Sequence, residues 1–425
     1  MSRTVKATER LSGATPRWAM LLGTLGPAFV ASVAYVDPGN VAANLTAGAR
    51  YSYLLVWVLV FANAMAMLIQ YQSAKLGVVT GRTMPEILGR RLRPAARRLY
   101  WAQAEVVALA TDLAEVVGGA LALHLLFHVP LPLGAVIVGA VSMAILAIQD
   151  FRTQQRFELA IVGLLAVITI GFLTGLALSP PAPSGVVAGL LPRFDGPDSV
   201  LLAASMLGAT VMPHAIYVHS ALARDRHRSD PAEEFTGAAI RRLLRGTRVD
   251  VVVALGVAGV VNIGMLLLAA STLAGEEGTD SIEGAHAAIQ SALGPAVGAI
   301  FAVGLLASGL ASTAVGAYAG ATIMEGLLER RIPLVLRRSI TLIPSIVVLA
   351  LGVDPTWSLV VSQVVLSFGI PFALIPLIRL GSSKSVVGEY AMRLPLAIAS
   401  WTSAALVVAL NIVLLWLTFA PGPQG

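Results

Sequence analysis

The sequence predicts an all-α polytopic membrane protein of eleven transmembrane helices, built as two inverted five-helix repeats whose first members are broken. Three observations carry that reading. The 425 residues are 57% hydrophobic and 12% charged, with mean hydropathy +0.82, whereas soluble domains carry roughly 25% charged residues. The basic residues fall on alternate connections between apolar spans. And two spans are interrupted at matching places by polar, helix-stopping sequence: Asp37-Pro38-Gly39-Asn40 in the first, and Gly208-Ala209-Thr210-Val211-Met212-Pro213-His214 in the sixth.

Stretches of the ~20 residues needed to cross a bilayer run over 20–47, 52–74, 101–127, 131–149, 157–180, 198–222, 249–273, 293–317, 332–352, 356–378 and 394–419. If the N-terminus is cytoplasmic, 27 of the 29 Lys and Arg residues lie on that side, and only Arg50 and Arg193 lie opposite. The positive-inside rule then places the N-terminus in the cytoplasm and the C-terminus outside. The purely acidic segment Glu276-Glu277-Gly278-Thr279-Asp280 on the outer side agrees. The net charge of +6 is thus a topology signal, and nucleic acid is not an expected partner. The organisation expected is a cytoplasmic tail (1–18), a first repeat (19–180), a second repeat (198–380) and an eleventh helix (391–419). A secretory leader ending at Ser32-Val33-Ala34 is set aside, because its removal would unbalance the charge pattern. Cys is absent, so disulfides, thiolate metal sites and cysteine catalysis are excluded together. Arg outnumbers Lys 26 to 3, as in proteins of GC-rich bacterial genomes.

Pro27 is well placed to start the first helix. From there to Val36 is about 15 Å of helix, half of a ~30 Å hydrocarbon core, so Asp37 and Pro38 fall near the midplane. The sixth span starts at Asp198, a good N-cap, and reaches Gly208 after a similar length; beyond Pro213 a further half-helix runs to Arg224. Pro38, Gly39, Gly208 and Pro213 are the expected helix breakers. The two spans enter the membrane from opposite sides, which is the arrangement of inverted repeats, and matched interruptions mark a transporter's substrate site. Asp-Pro-Gly-Asn alone would pass as a surface turn. The break at Met212-Pro213-His214 decides, because its flanking runs are too short to be two spans.

Asp37 is the expected anchor for a cation. A carboxylate at mid-membrane costs about 2.5–3.5 kcal/mol, and the sixth span offers no Lys or Arg at matching depth. Asn40 supplies a carbonyl oxygen, a helix cap, or both. Backbone carbonyls freed near Ala34 and Ala209 are further ligands. Met212 adds a thioether, which suits Mn²⁺, Fe²⁺, Co²⁺, Zn²⁺ or Cd²⁺ better than the hard ions Mg²⁺ and Ca²⁺. Glu105, Asp112 and Glu115 lie on one stripe of the third span, within about 80° on a helical wheel. Buried carboxylates with a nearby His are the parts of proton relays, and His214 follows Pro213, with His219 further down the same half-helix. Arg337 and Arg338 lie inside the ninth span, either snorkelling to the surface or paired with those carboxylates. His124 and His128 read as interfacial, and His227 and His286 fall in loops.

These residues resemble the paired signatures of the Nramp (natural resistance-associated macrophage protein) divalent-metal transporters. The likeness extends to Ala104-Glu105, to Ala110-Thr111-Asp112-Leu113-Ala114-Glu115, to the small-residue stretch from Gly309 to Gly320 with Met324-Glu325-Gly326, and to the run from Ser362 to Pro371. It departs at Leu310 and Ala311, where many members carry Gln and Ser. The resemblance implies a LeuT-like fold and proton-coupled import of Mn²⁺ or Fe²⁺, with Co²⁺, Zn²⁺ and Cd²⁺ as further candidates, across the inner membrane of a bacterium. It favours Ala209 as the carbonyl ligand, adds Gln363 to the closed site, and puts at least one of Arg337 and Arg338 in a salt-bridged proton path with Asp112 and Glu115. Metal and protons are then substrates; no cofactor or catalysis is expected, and no oligomer is required. The rival of the same fold is a sodium- or proton-coupled amino-acid symporter, which the pairing of Asp37 with Met212 disfavours. The sequence has no metalloprotease helix, Gly-x-Ser-x-Gly elbow or phosphate loop, which argues against an intramembrane enzyme.

Overall fold

The computed structural model describes residues 26–151, 154–227, 237–275, 278–279, 281–330 and 332–419, and every predicted span falls on helix within them. The expected tail (1–18), and Glu276, Glu277 and Asp280 of the acidic segment, lie outside the described residues. The first span is α1 (Pro27–Val33), a 3₁₀ turn (Ala34–Val36) and α2 (Pro38–Tyr51). Then come α3 (Val56–Thr80), the short α4 (Met84–Arg91), α5 (Pro94–Phe127), α6 (Leu131–Phe151) and α7 (Gln154–Leu178). After the short α8 (Pro183–Ala188), the sixth span comprises α9 (Gly196–Thr210) and α10 (Pro213–His227). The second repeat continues through α11 (Gly237–Thr272), α12 (Ile282–Leu293), α13 (Pro295–Leu328), α14 (Leu334–Ala350) and α15 (Pro355–Ser382); α16 (Lys384–Val387) and α17 (Leu394–Phe419) follow. No strand occurs among the described residues. Among the described residues eight helices, counting α9 with α10, are long and apolar enough to cross a membrane, and α6 and the first half-span are shorter apolar helices.

Several boundaries differ from the sequence reading. The breaks are narrower than expected: only Asp37 interrupts the first span, and only Val211 and Met212 the sixth. Pro38 and Gly39 are the first residues of α2, and Pro213 the first of α10, because Pro needs no N–H partner in a first turn. Gly208 is helical as well. The sixth span begins after Asp195, which makes no side-chain cap bond, and Asp198 falls in its first turn, since Pro197 lets the helix begin earlier. α3 runs on to Thr80, so Lys75 lies within a helix, buried, with Nζ donating to the Tyr390 carbonyl at 3.1 Å. His227 ends α10 and His286 sits on α12; neither is in a loop.

Lipid offers no hydrophobic drive for joining helices, so small residues that let backbones approach close the bundle. A Cβ on Gly77 of α3 would overlap the Ser220 carbonyl of α10, and one on Gly309 of α13 would stand 3.0 Å from the Gly119 backbone of α5. One on Gly118 of α5 would overlap the ring of Pro38. The bundle thus seats both broken spans against α3, α5 and α13. Gly77→Ala is expected to destabilise the protein by about 1–3 kcal/mol, the usual cost of overpacking, read as a lower melting temperature in detergent.

Candidate metal centre

Asp37 terminates one half-helix and starts the next. Its extended backbone (φ −72°, ψ 168°) makes it the N-cap of α2, and its Oδ1 accepts the Asn40 backbone N–H at 2.8 Å. The cap is therefore Asp37 and not Asn40. The Asn40 side chain uses both amide hydrogens, donating to Asp37 Oδ1 at 2.7 Å and to the Ala209 carbonyl at 3.0 Å. That second bond ties the two breaks together across the bundle. From α15, Gln363 Nε2 approaches Asp37 Oδ2 at 3.5 Å. Asp37, Asn40, Ala209, Met212 and Gln363 are all fully buried. Met212 is one of the two non-helical residues of the sixth-span break, with the α9 end before it and Pro213 after it. The Asn40 Oδ1 and Gln363 Oε1 oxygens, and the Thr210 hydroxyl, have no hydrogen-bond partner among the described residues. Thr210 carries no signal in the sequence; a hydroxyl at a helix end reads as an ordinary cap.

Gly39 and Gly208 serve the site by closeness, not by breaking helices. A Cβ on Gly39 would overlap the side-chain amide of Gln363, and one on Gly208 would overlap the Gln363 carbonyl. Both broken spans therefore press their glycines against the same residue of α15. Above this cluster lies a cavity of about 430 Å³, bounded by Thr46 and Arg50 of α2, Asp198 and Leu202 of α9, and Trp357 and Val364 of α15. Among the described residues no three His, Asp or Glu side chains converge as a metal cluster. Any cation site here is one carboxylate supplemented by amide, carbonyl and thioether donors.

The carboxylate stripe of α5 meets α14. Arg338 Nη1 pairs with Asp112 Oδ1 at 2.8 Å, both side chains being almost wholly buried, and Arg337 Nη2 pairs with Glu105 Oε1 at 2.7 Å. Neither arginine snorkels. Glu115 is fully buried, its oxygens facing Gly316 of α13, where a Cβ would come within about 3.0 Å. His214 Nδ1 lies 3.3 Å from the Thr111 hydroxyl, which itself donates to the Val107 carbonyl at 3.0 Å, so Thr111 accepts the His214 N–H. This contact joins the sixth-span break to α5 one residue from Asp112. His219 points elsewhere: Nδ1 donates to Gln70 Oε1 at 2.7 Å, and Gln70 Nε2 donates to the Tyr35 hydroxyl at 2.5 Å. His124 Nδ1 donates to the Val129 carbonyl at 3.0 Å at the α5 terminus, as an interfacial residue would.

A further set of residues is silent in the sequence. Asp250 of α11 accepts the Gly26 and Ala28 backbone N–H groups at 3.1 and 2.9 Å, holding the start of α1. Beside it, Glu158 of α7 pairs with Arg226 of α10 at 3.2 Å. Four elements meet at this clamp on the basic side, and nothing in the spacing of Glu158, Arg226 and Asp250 signals it. Removing both acceptors with Asp250→Ala should loosen α1 by at least about tenfold in its opening equilibrium, from charged hydrogen bonds of roughly 1.5–3 kcal/mol each. The chain has no native Cys, so alkylation of an Ala28→Cys reporter measures this directly, and it should run faster in the Asp250→Ala background.

Residues 28–417 match the family model described as natural resistance-associated macrophage protein-like. A relative from Mycobacterium tuberculosis named divalent metal cation transporter MntH is 56% identical over 395 residues, covering 93% of this chain and 91% of the relative. The crystal structure of the Eremococcus coleocola manganese transporter in complex with an aromatic bis-isothiourea substituted compound superposes with a TM-score of 0.84 at 28% identity, covering 97% of this chain and 93% of that one. The structure of MhsT in complex with L-phenylalanine shares the fold alone, with a TM-score of 0.60 at 16% identity over 92% of this chain and 98% of that one. The broken spans, the carboxylate stripe and the match along nearly the whole chain agree: the protein belongs to the Nramp family.

Proposed function

We propose that the chain imports divalent transition-metal ions, Mn²⁺ or Fe²⁺ foremost, together with protons, across a bacterial inner membrane with its N-terminus in the cytoplasm. The observation that carries this reading is the cluster at the crossing of the two breaks, where Asp37, Asn40, Ala209 and Gln363 meet without a basic residue. Relatives named as divalent metal cation or manganese transporters support it.

The chemistry follows from the amides. In the structure Asn40 and Gln363 turn N–H groups toward Asp37, leaving their own oxygens without partners. A half-turn of each terminal amide exchanges donor for acceptor. A cation between them then meets the Asp37 carboxylate, two amide oxygens, the Ala209 carbonyl and the Met212 sulfur. Entry from the 430 Å³ outer cavity is followed by closure over α15 and by release of the basic-side clamp. A negative-inside potential favours the inward step by about 2.3 kcal/mol per charge per 100 mV. The proton takes a separate route, from Asp37 or His214 through Thr111 to Asp112 and Arg338, with Glu115 alongside and Glu105 and Arg337 toward the basic side. The amino-acid symporter of the same fold is disfavoured for a specific reason. The free N–H groups that such a protein aims at a substrate carboxylate are taken here, at the start of α2, by Asp37 itself.

Reconstituted protein should take up Mn²⁺, resist competition by Mg²⁺, and ignore leucine; leucine uptake without Mn²⁺ uptake overturns the reading. Replacing the soft donor, Met212→Ala, should weaken discrimination against Mg²⁺ and Ca²⁺ by about tenfold while Mn²⁺ uptake falls less. Equal losses for all ions would assign Met212 a packing role only. Asp112→Asn should leave metal uptake measurable but abolish the accompanying acidification of the vesicle lumen; unchanged acidification removes Asp112 from the proton route.

A further inference from the structure

The charge pattern leaves two arginines, Arg50 and Arg193, on the side opposite the basic face. The fold brings them to one place. Both line a polar pocket of about 350 Å³ at the end of α2, together with Tyr51, Tyr53 and Asp195. Arg50 also faces the neighbouring cavity beside Asp198, so Arg193 is the guanidinium this pocket offers a ligand. Arg193 forms no ion pair among the described residues.

Deeper along the same spans lies a second cavity, also about 350 Å³, walled by apolar side chains of α3, α9 and α17, among them Phe61, Ala203, Leu207 and Leu410. Trp57 lines this second cavity and bonds the backbone of the segment that lines the first. Its indole N–H donates to the Arg193 carbonyl at 3.3 Å, and its ring meets Phe194 edge-on at 5.5 Å between centroids. An indole with its apolar body below and its N–H above is the usual marker of the headgroup level of a bilayer. The rim residues Leu406 and Val413 are exposed, and at this depth exposure means lipid.

We infer that this paired cavity is a binding site for one phospholipid of the leaflet opposite the basic face. Its phosphate sits on Arg193, and one acyl chain fills the groove between α9 and α17. A phosphodiester carries one negative charge, and a guanidinium group is the side chain best shaped to hold it. The acyl chain lies against α9, the half-helix whose end carries Ala209, so an occupied groove braces the wall of the candidate metal centre.

Native mass spectrometry of the intact protein, stripped in detergent and then titrated with phosphatidylglycerol, tests this. One retained lipid per chain is expected, and Arg193→Gln should weaken its retention about tenfold through loss of a charge-assisted contact. Ala203→Phe should do the same by filling the groove, and Leu406→Trp, placed at the exposed rim, repeats that test where folding is not at stake. Arg393→Gln, on the basic face, should leave retention unchanged. Retention unaffected by Arg193→Gln, or by both groove variants in folded protein, overturns the site; so does displacement of the lipid by millimolar inorganic phosphate, which would leave the acyl chain no part in binding.

Discussion

Asp37 carries a carboxylate, fully buried in the middle of an apolar bundle and with no arginine or lysine paired to it among the described residues, and the rest of the architecture answers that constraint. Such a group is tolerated because α2 begins there. The first N–H groups of a helix have no partner within it, and the helix N-terminus behaves as a partial positive charge. Asp37 takes the Asn40 N–H at 2.8 Å and so stabilises the half-helix while the half-helix stabilises Asp37. The same bundle holds Asp112 by another means, a direct ion pair with Arg338 at 2.8 Å. The two solutions have different chemical consequences. A helix terminus offsets only part of a full charge, so Asp37 retains attraction for a cation. Arg338 offsets Asp112 in a direct ion pair, which leaves that position unsuited to holding a metal ion.

Closeness at Gln363 links the metal centre to the motion of the bundle. Its side chain covers Gly39 and its carbonyl covers Gly208, so α15 touches both broken spans at the point where each passes the site. At Gly208 backbone blocks any larger residue, and at Gly39 a larger residue would displace the Gln363 amide. A displacement of α15 by a side chain's width withdraws the Gln363 amide from Asp37 and uncovers the cluster at once. The composition of the site and its exposure to water are therefore set by the same contact.

Much of this is legible in the sequence, and what is not shares a cause. Composition and the alternation of Arg-rich connections give the helical membrane architecture, because the bilayer imposes span length and charge asymmetry on any chain. Asp37 and Met212 stand out because polar or helix-stopping residues at membrane depth have few innocent explanations. The breaks read as wider than they are because Pro38, Gly39 and Pro213 look like breakers, whereas Pro in a first turn starts a helix. The partners of Arg337 and Arg338 stay open between snorkelling and pairing, since pairing depends on which face of α5 meets α14. The clamp of Asp250, Glu158 and Arg226 is invisible for the same reason. Its members come from three elements, and each alone resembles an ordinary charged residue near a helix end. Asn44 and Asn262, hydrogen-bonded across α2 and α11 at 2.9 Å, are likewise silent.

Those asparagines define where the first span can pivot. Asn262 of α11 donates to the Tyr35 carbonyl at 2.6 Å, just before the break, and accepts from Asn44, just after it. Twelve residues earlier on the same helix, about 18 Å away along its axis, Asp250 holds the start of α1. One rigid helix thus grips the first span at its end and at its middle. The two grips differ in kind. Asn262 is buried at the break and bonds both sides of it, whereas Asp250 holds only two N–H groups of a helix terminus, which water can replace once the Glu158–Arg226 pair parts. The grip at the break is thus the firmer of the two, and the backbone changes direction between α1 and α2 at Asp37, the same residue whose carboxylate is the proposed anchor for the cation.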